Sequence, residues 1–257
     1  MLKRFCSVVL VIILVVCMVS SCDLIAKKDP AAIIKEAEAQ TADHTVNIAM
    51  TFTSDDDDMK EAIKAIESSS FTLIKSGDDF KIDMKLSVGD VVADKSYIVV
   101  GNALYSVSEF GSESSKEKAQ LTAAEKASVI KNAGVGDILS YDDFNEVSVE
   151  SNGEVHLITC TDLKSDSAVS LVNVFESYFG DNADDVLIGD TELVIRIVDG
   201  KYNGIYLSSS YSISVDGVVY DIRMQAVREY DYTTPVSVEA PVDADTYALT
   251  PYSEIIK

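Results

Sequence analysis

The chain has 257 residues, 47% of them hydrophobic, with 43 acidic against 21 basic side chains and a formal net charge of −22. That length suits one large β-rich domain or two small ones, and such a charge repels phosphate, which sets nucleic acid aside as a partner. Tryptophan is absent, so the best side chain for stacking on sugars is missing.

The first residues, Met1-Leu2-Lys3-Arg4, precede an apolar run from Val8 to Val19, then Ser20-Ser21 and Cys22. Cations, a short apolar segment and small residues before a cut site predict a secretory signal peptide over residues 1–21. An uncleaved membrane helix is the competing reading, but Phe5–Val19 offers about 15 residues where spanning takes roughly 20. The run Val19-Ser20-Ser21-Cys22 resembles the bacterial lipobox. That resemblance implies acylation of the Cys22 thiol, with chains such as palmitate, and cleavage just before it. Each buried methylene contributes about 0.8 kcal/mol, so several acyl chains on one residue make a lasting anchor. The expected address is the extracytoplasmic face of the cell membrane. Asp23 resembles the inner-membrane retention signal of two-membrane bacteria and has no such meaning in a one-membrane cell.

Removing Lys3 and Arg4 leaves a mature chain that is still more acidic and repelled by anionic headgroups. The domain should stand off the membrane on a tether over residues 22–30, where Lys27-Lys28 is the lone basic pair. Cys6 and Cys17 leave with the signal and Cys22 carries lipid, so Cys160 has no partner for an intrachain disulfide. Cys160 lies in a strand-like run, Val155–Thr161. It reads as a small buried hydrophobe rather than a reactive thiol, because no basic neighbours lower its pKa.

Pro30 opens a predicted helix, Ala31–Gln40. Thr45–Thr53 alternates Val46, Ile48, Met50 and Phe52 with polar residues, a half-buried strand. The period then changes. Asp55 to Asp58 begin a segment to Glu67 whose apolar residues are Met59, Ala62, Ile63 and Ile66. Carboxylates in a first helical turn suit the helix dipole, and their spacing is not that of a calcium loop. Phe71 and Leu73 share a face with Ile82 and Met84 if Gly77-Asp78 is a two-residue turn. Gly89-Asp90 and Gly101-Asn102 punctuate the next runs, Val91–Val100 and Ala103–Phe110.

Residues 111–118, rich in Ser, Glu and Lys, suggest an exposed loop. Thr122-Ala-Ala-Glu125 matches a capping box, opening a helix to about Ala133 before Gly134 and Gly136. Phe144–Glu150 and Glu154–Thr161 form a hairpin about Asn152-Gly153, placing Val147, Val149, His156, Ile158 and Cys160 on one face. Ser165–Phe179 is an apolar helix ended by Gly180, with Ala168, Leu171, Val172, Phe175, Tyr178 and Phe179 in a stripe that Val169 and Val174 widen, and a stripe this wide should be buried against a sheet face. A final hairpin pairs Val215 with Val218, Ile213 with Tyr220 and Tyr211 with Ile222 about Asp216-Gly217. Its other face carries Ser208, Ser210, Ser212 and Ser214, which must meet water or something polar. Thr233–Lys257, with Pro235, Pro241 and Pro251, is expected as an extended tail or edge.

The expected fold class is α+β: a large curved antiparallel sheet of about ten strands, its concave face covered by the helices near 55–67, 121–133 and 165–179. This element order, the serine-faced terminal hairpin and the tail Pro235-Val-Ser-Val-Glu-Ala-Pro241-Val-Asp243-Ala-Asp245 resemble the LolA/LppX-like superfamily of cell-envelope lipoproteins and lipoprotein carriers. The resemblance implies a half-barrel plugged by helices, one domain over residues 31–257. It carries over no ligand residues.

The chain has two histidines, His44 and His156, neither with a partner at metal-ligand spacing. No G-x-S-x-G elbow or S-x-x-K nucleophile is present. No enzymatic activity, cofactor or metal is expected. A carboxylate hydrolase would need acids converging across a cleft. The expected function is a membrane-anchored lipoprotein holding a lipid or other apolar ligand between sheet and helix. Leu171, Phe175, Tyr178, Phe179, Tyr211, Ile213, Tyr220, Ile222 and Met224 would line that cavity. The alternative is a cell-envelope structural or protein-interaction module with the same fold and a filled core.

Overall fold

A computed structural model describes residues 29–39, 43–64, 70–88, 91–132, 138–179, 185–215 and 217–256. Cys22 and the signal segment lie outside the described residues, as do Gly89-Asp90, Gly134, Gly136, Gly180 and Asp216.

Helix α1, Pro30–Glu38, starts where expected, with Pro30 in its first turn and the Asp29 carboxylate accepting the Ala31 amide at 3.1 Å. Strand β1, His44–Ser54, buries Val46, Ile48, Met50 and Phe52 on one face while its intervening residues face out. Helix α2, Asp57–Lys64, is entered through Asp56, whose carboxylate accepts the Asp58 and Met59 amides. Strands β2 (Ser70–Ser76), β3 (Asp79–Val88), β4 (Val91–Val100) and β5 (Ala103–Phe110) form the expected meander. Leu73 pairs with Ile82 and Phe71 with Met84.

Residues 113–120 are not a loop. Glu113–Gln120 is strand β6, paired with β5 along its length and joined to it at Gly111, whose φ is +60°. The side chains from Glu113 to Lys116 are exposed, Glu117 and Lys118 are half-buried where β6 meets the tail, and Ala119 is buried. Helix α3, Ala123–Asn132, has the predicted capping box: Thr122 Oγ1 accepts the Glu125 amide at 3.2 Å, and the Glu125 carboxylate accepts the Thr122 amide at 2.8 Å.

Strands β7 (Phe144–Asn152) and β8 (Val155–Leu163) pair Val149 with Ile158 and Val147 with Cys160. The turn falls at Gly153-Glu154, one residue later than expected. That slip changes each partner by two positions, so the predicted common face is kept. Helix α4, Ala168–Phe179, follows. Strand β9, Asp185–Val198, was not among the expected strands. Strands β10 (Lys201–Val215) and β11 (Val218–Asp231) have the predicted register, Tyr211 opposite Ile222 and Ile213 opposite Tyr220. The tail supplies a short edge strand β12, Ala248–Leu249, and a helical turn α5, Tyr252–Ile255.

The strands form one sheet of twelve in the order β12-β6-β5-β4-β3-β2-β1-β11-β10-β9-β8-β7. The described pairings are antiparallel except β12 with β6. The chain thus starts mid-sheet, meanders out to β6, crosses to β7, and meanders back until β11 closes on β1. The large antiparallel sheet with a few helices matches the predicted class, and it is consistent with a curved sheet.

Two apolar clusters lie on the helix-covered face. The first joins α1 (Ile33, Ile34), α2 (Met59, Ile63) and α4 (Leu171, Phe175) to β7–β11 and to Met50 and Phe52. The second joins Val129 of α3 and Ile255 of α5 to β2–β6 and to Val46 and Ile48. Strand β1 therefore serves both clusters with successive residues of one face. The cover includes α1 and α5 as well as the three helices expected to supply it.

Candidate functional site

The residues expected to wall a cavity are brought together around Tyr211. Leu171 and Phe175 of α4 are fully buried. The Phe175 and Tyr211 rings lie 5.1 Å apart, tilted by 31°. The Tyr211 hydroxyl donates to the Leu171 carbonyl at 3.5 Å and lies 3.5 Å from Met224 Sδ. Burial pushes the Tyr211 phenol well above its ordinary pKa. Ile213, Ile222 and Met224 are buried beside it, and Tyr220 packs half-buried at the margin. The side chains of Tyr178 and Phe179 lie outside the described residues. Leu171, Phe175, Tyr211, Ile213, Ile222 and Met224 belong to one buried cluster.

The other singled-out groups also have evident surroundings. His44 sits 5.9 Å from the Tyr230 ring and 5.3 Å from the Tyr232 ring, at the end of β1. His156 is buried, its Nδ1 2.8 Å from Ser151 Oγ. Cys160 has no exposed surface, and desolvation pushes its thiol to about 11. Among the described residues no group of His, Cys, Asp and Glu is arranged to hold a metal ion. Nor is any described helix long and apolar enough to cross a membrane.

A groove of about 760 Å³ opens instead beside α4, where β8 and β9 part. Their pairing runs from Val155 opposite Val198 to Cys160 opposite Leu193 and goes no further. Each wall has a local cause. On β8, Asp162 takes a left-handed backbone, φ 59°, with its carboxylate accepting from Asn145 Nδ2 at 3.1 Å. On β9, the register with β10 shifts between Ser209 and Tyr211, a bulge that absorbs Gly189 and Asp190. A Cβ at Gly189 would sit 2.5 Å from Ser210 Oγ, so a larger residue there would require that hydroxyl to rotate away. Below the bulge, Thr191 Oγ1 and Ser209 Oγ form a buried pair at 2.8 Å.

The bulge reverses which residues face the helices. Val186 and Ile188 lie opposite Ile213 and Tyr211 before it, and Thr191 and Leu193 lie opposite Ser209 and Leu207 after it. The groove consequently gathers Val169 and Val172 of α4, Leu187 of β9, and the acids Asp162, Asp190 and Glu192. Ser208, Ser210 and Arg223 from the serine face complete it. Leu187 is 67% exposed, and Val169, expected in the buried stripe of the helix, is 60% exposed because it lies on the side of α4 that faces the groove. Sequence reasoning missed this site. The signals available were Gly189 and the change of apolar parity between Ile188 and Leu193.

Comparison with known proteins finds no family model and no curated protein that matches the chain.

Proposed function

We propose that this chain is a lipid-anchored, extracytoplasmic protein-interaction module with no catalytic role, built on a LolA-like half-barrel. The anchor is Cys22, by the resemblance of Val19-Ser20-Ser21-Cys22 to a lipobox. The LolA-like frame is supported by the single large antiparallel sheet with helices over one face. The observation that carries the interaction reading is the filled core: Leu171, Phe175, Tyr211, Ile222 and Met224 pack on one another instead of enclosing space. Holding an apolar ligand between sheet and helix would require α4 to lift from Tyr211. That would expose Leu171 and Phe175, each worth about 1.5–3 kcal/mol of burial.

Photo-crosslinking residues placed singly over the sheet and its edges, in bacteria making the full chain, test this reading. A discrete protein adduct is expected. Adducts to lipid alone from positions in α4, or no protein adduct from any position, would contradict it.

A further inference from the structure

We propose that the unpaired edge of β9, Asp185–Glu192, is a docking site for an extended, basic segment of a partner protein, added as a strand in the groove between β8 and β9. This inference rests on the interaction reading and gives it an address. Three observations carry it.

The first is backbone geometry. Strand β9 pairs with β10 on one side along its whole length, but with β8 only from Leu193 onward. Among the described residues no strand covers the other side of Asp185–Glu192. An edge with unpaired amides and carbonyls is a template for another strand, unless bulges, charge or cover defend it. Here the β8–β9 pairing stops at Leu193, just before the bulge at Gly189-Asp190, and the stretch beyond it borders the groove. At about 3.3 Å per residue the free stretch spans roughly 25 Å, room for a short strand.

The second is apolar surface. Leu187, at 67% exposed, and Val169, at 60%, face solvent on the two sides of this groove. Val169 gives purchase to apolar side chains on the helix side of an added strand, whose neighbours alternate to the serine side, where Leu187 lies with Glu192.

The third is charge, which selects the occupant. Asp162, Asp190 and Glu192 line the groove against Arg223 alone, in a chain of net charge −22. Lysine or arginine at alternate positions of the incoming strand would meet these carboxylates, and the field of the whole molecule would steer it in. A second copy of this chain has the wrong charge. Edge-to-edge pairing of β9 with β9 would set Asp190 and Glu192 of one copy near the same acids of the other.

The test uses the full chain in detergent micelles and a fluorescent, end-blocked peptide of alternating Lys and Val, followed by anisotropy. The proposal predicts saturable binding. Methylating the peptide amides along one edge, which keeps its charge but removes the strand's donors, should weaken binding by at least about tenfold. Glu192→Lys and Leu187→Lys should each weaken it by about tenfold, whereas Glu113→Lys on distant β6 should change it by less than about twofold. Far-UV circular dichroism of each variant checks the fold, and the exposure of these side chains makes loss of fold unexpected. Equal binding of the methylated peptide, or equal loss from Glu113→Lys, would overturn the proposal in favour of non-specific charge attraction. A dimer dissolved by Leu187→Lys, with no peptide binding, would overturn it in favour of a second copy. A partner cross-linked in cells only at another face would overturn this address and leave the interaction reading standing. No partner at any face would overturn both.

Discussion

Tyr211 shows how single side chains decide between a pocket and a core. Its ring meets Phe175, its hydroxyl is spent on the Leu171 carbonyl, and it has about 1% of its surface exposed. Truncating Phe175 to alanine should cost about 3–5 kcal/mol, while Val169→Ala, on the exposed side of the same helix, should stay within about 0.5 kcal/mol. Urea unfolding of the two variants measures this contrast, and a small loss at Phe175 would mean a loosely packed centre. Cys160 should resist alkylation at pH 8 in the native protein and react once denaturant is added. Its thiol is fully buried and raised from 9.0 to about 11. Because the folded value is the higher one, this group's contribution to stability is complete below pH 9 and is lost as pH rises through 11.

The acid limb has the opposite sign. The Thr233 and Thr234 hydroxyls and the Thr233 amide hold Asp231 well below the ordinary carboxylate value of 3.8. At Asp143 burial opposes ionisation, but hydrogen bonds from Ser140 and Ser167 and the charge of Lys164 outweigh it, and the pKa is again lowered. Both contributions are present above 3.8 and are lost as pH falls through the lower folded values. The urea midpoint should therefore hold down to about pH 4.5 and drop below that, with a smaller drop in Asp231→Asn. A flat profile from pH 5 to pH 2 would contradict these assignments.

Elements with a strict period were legible in the sequence, and those that break period were not. Strands β1 and β3 alternate throughout, and β10 and β11 keep a regular apolar face from Tyr211 to Ala226, so the Tyr211–Ile222 register could be derived directly. The capping box at Thr122 and Glu125 was equally readable, and Thr122→Ala should cost about 1 kcal/mol in thermal or urea unfolding. Strand β6 was hidden because every side chain in it except Ala119 is polar, its pairing coming from the hairpin to β5. Strand β9 was hidden by its bulge, which moves the buried set from even to odd positions at Gly189-Asp190. The groove was hidden with it, since the groove exists only because β8 and β9 part. The Tyr211 cluster was legible as a set of residues, but alternation cannot tell a lined cavity from a filled one.

At the scale of the molecule, one sheet carries two apolar clusters that share β1. Unfolding either half would strip Val46 and Ile48, or Met50 and Phe52, of their cover. The two halves should therefore melt together, with tyrosine fluorescence and far-UV circular dichroism giving coincident transitions. Separate transitions would mean that the clusters stabilise independent units. On the proposed reading, the acidic composition suits a domain that stands off a membrane and meets its partner sideways. Native mass spectrometry of the full-length protein extracted from bacterial membranes is the sharpest test of the anchored, filled-core reading. The expected species is a chain beginning at Cys22, heavier by covalently attached acyl groups, with no further lipid held non-covalently. An unprocessed chain, or a processed one carrying an additional bound lipid, would contradict it.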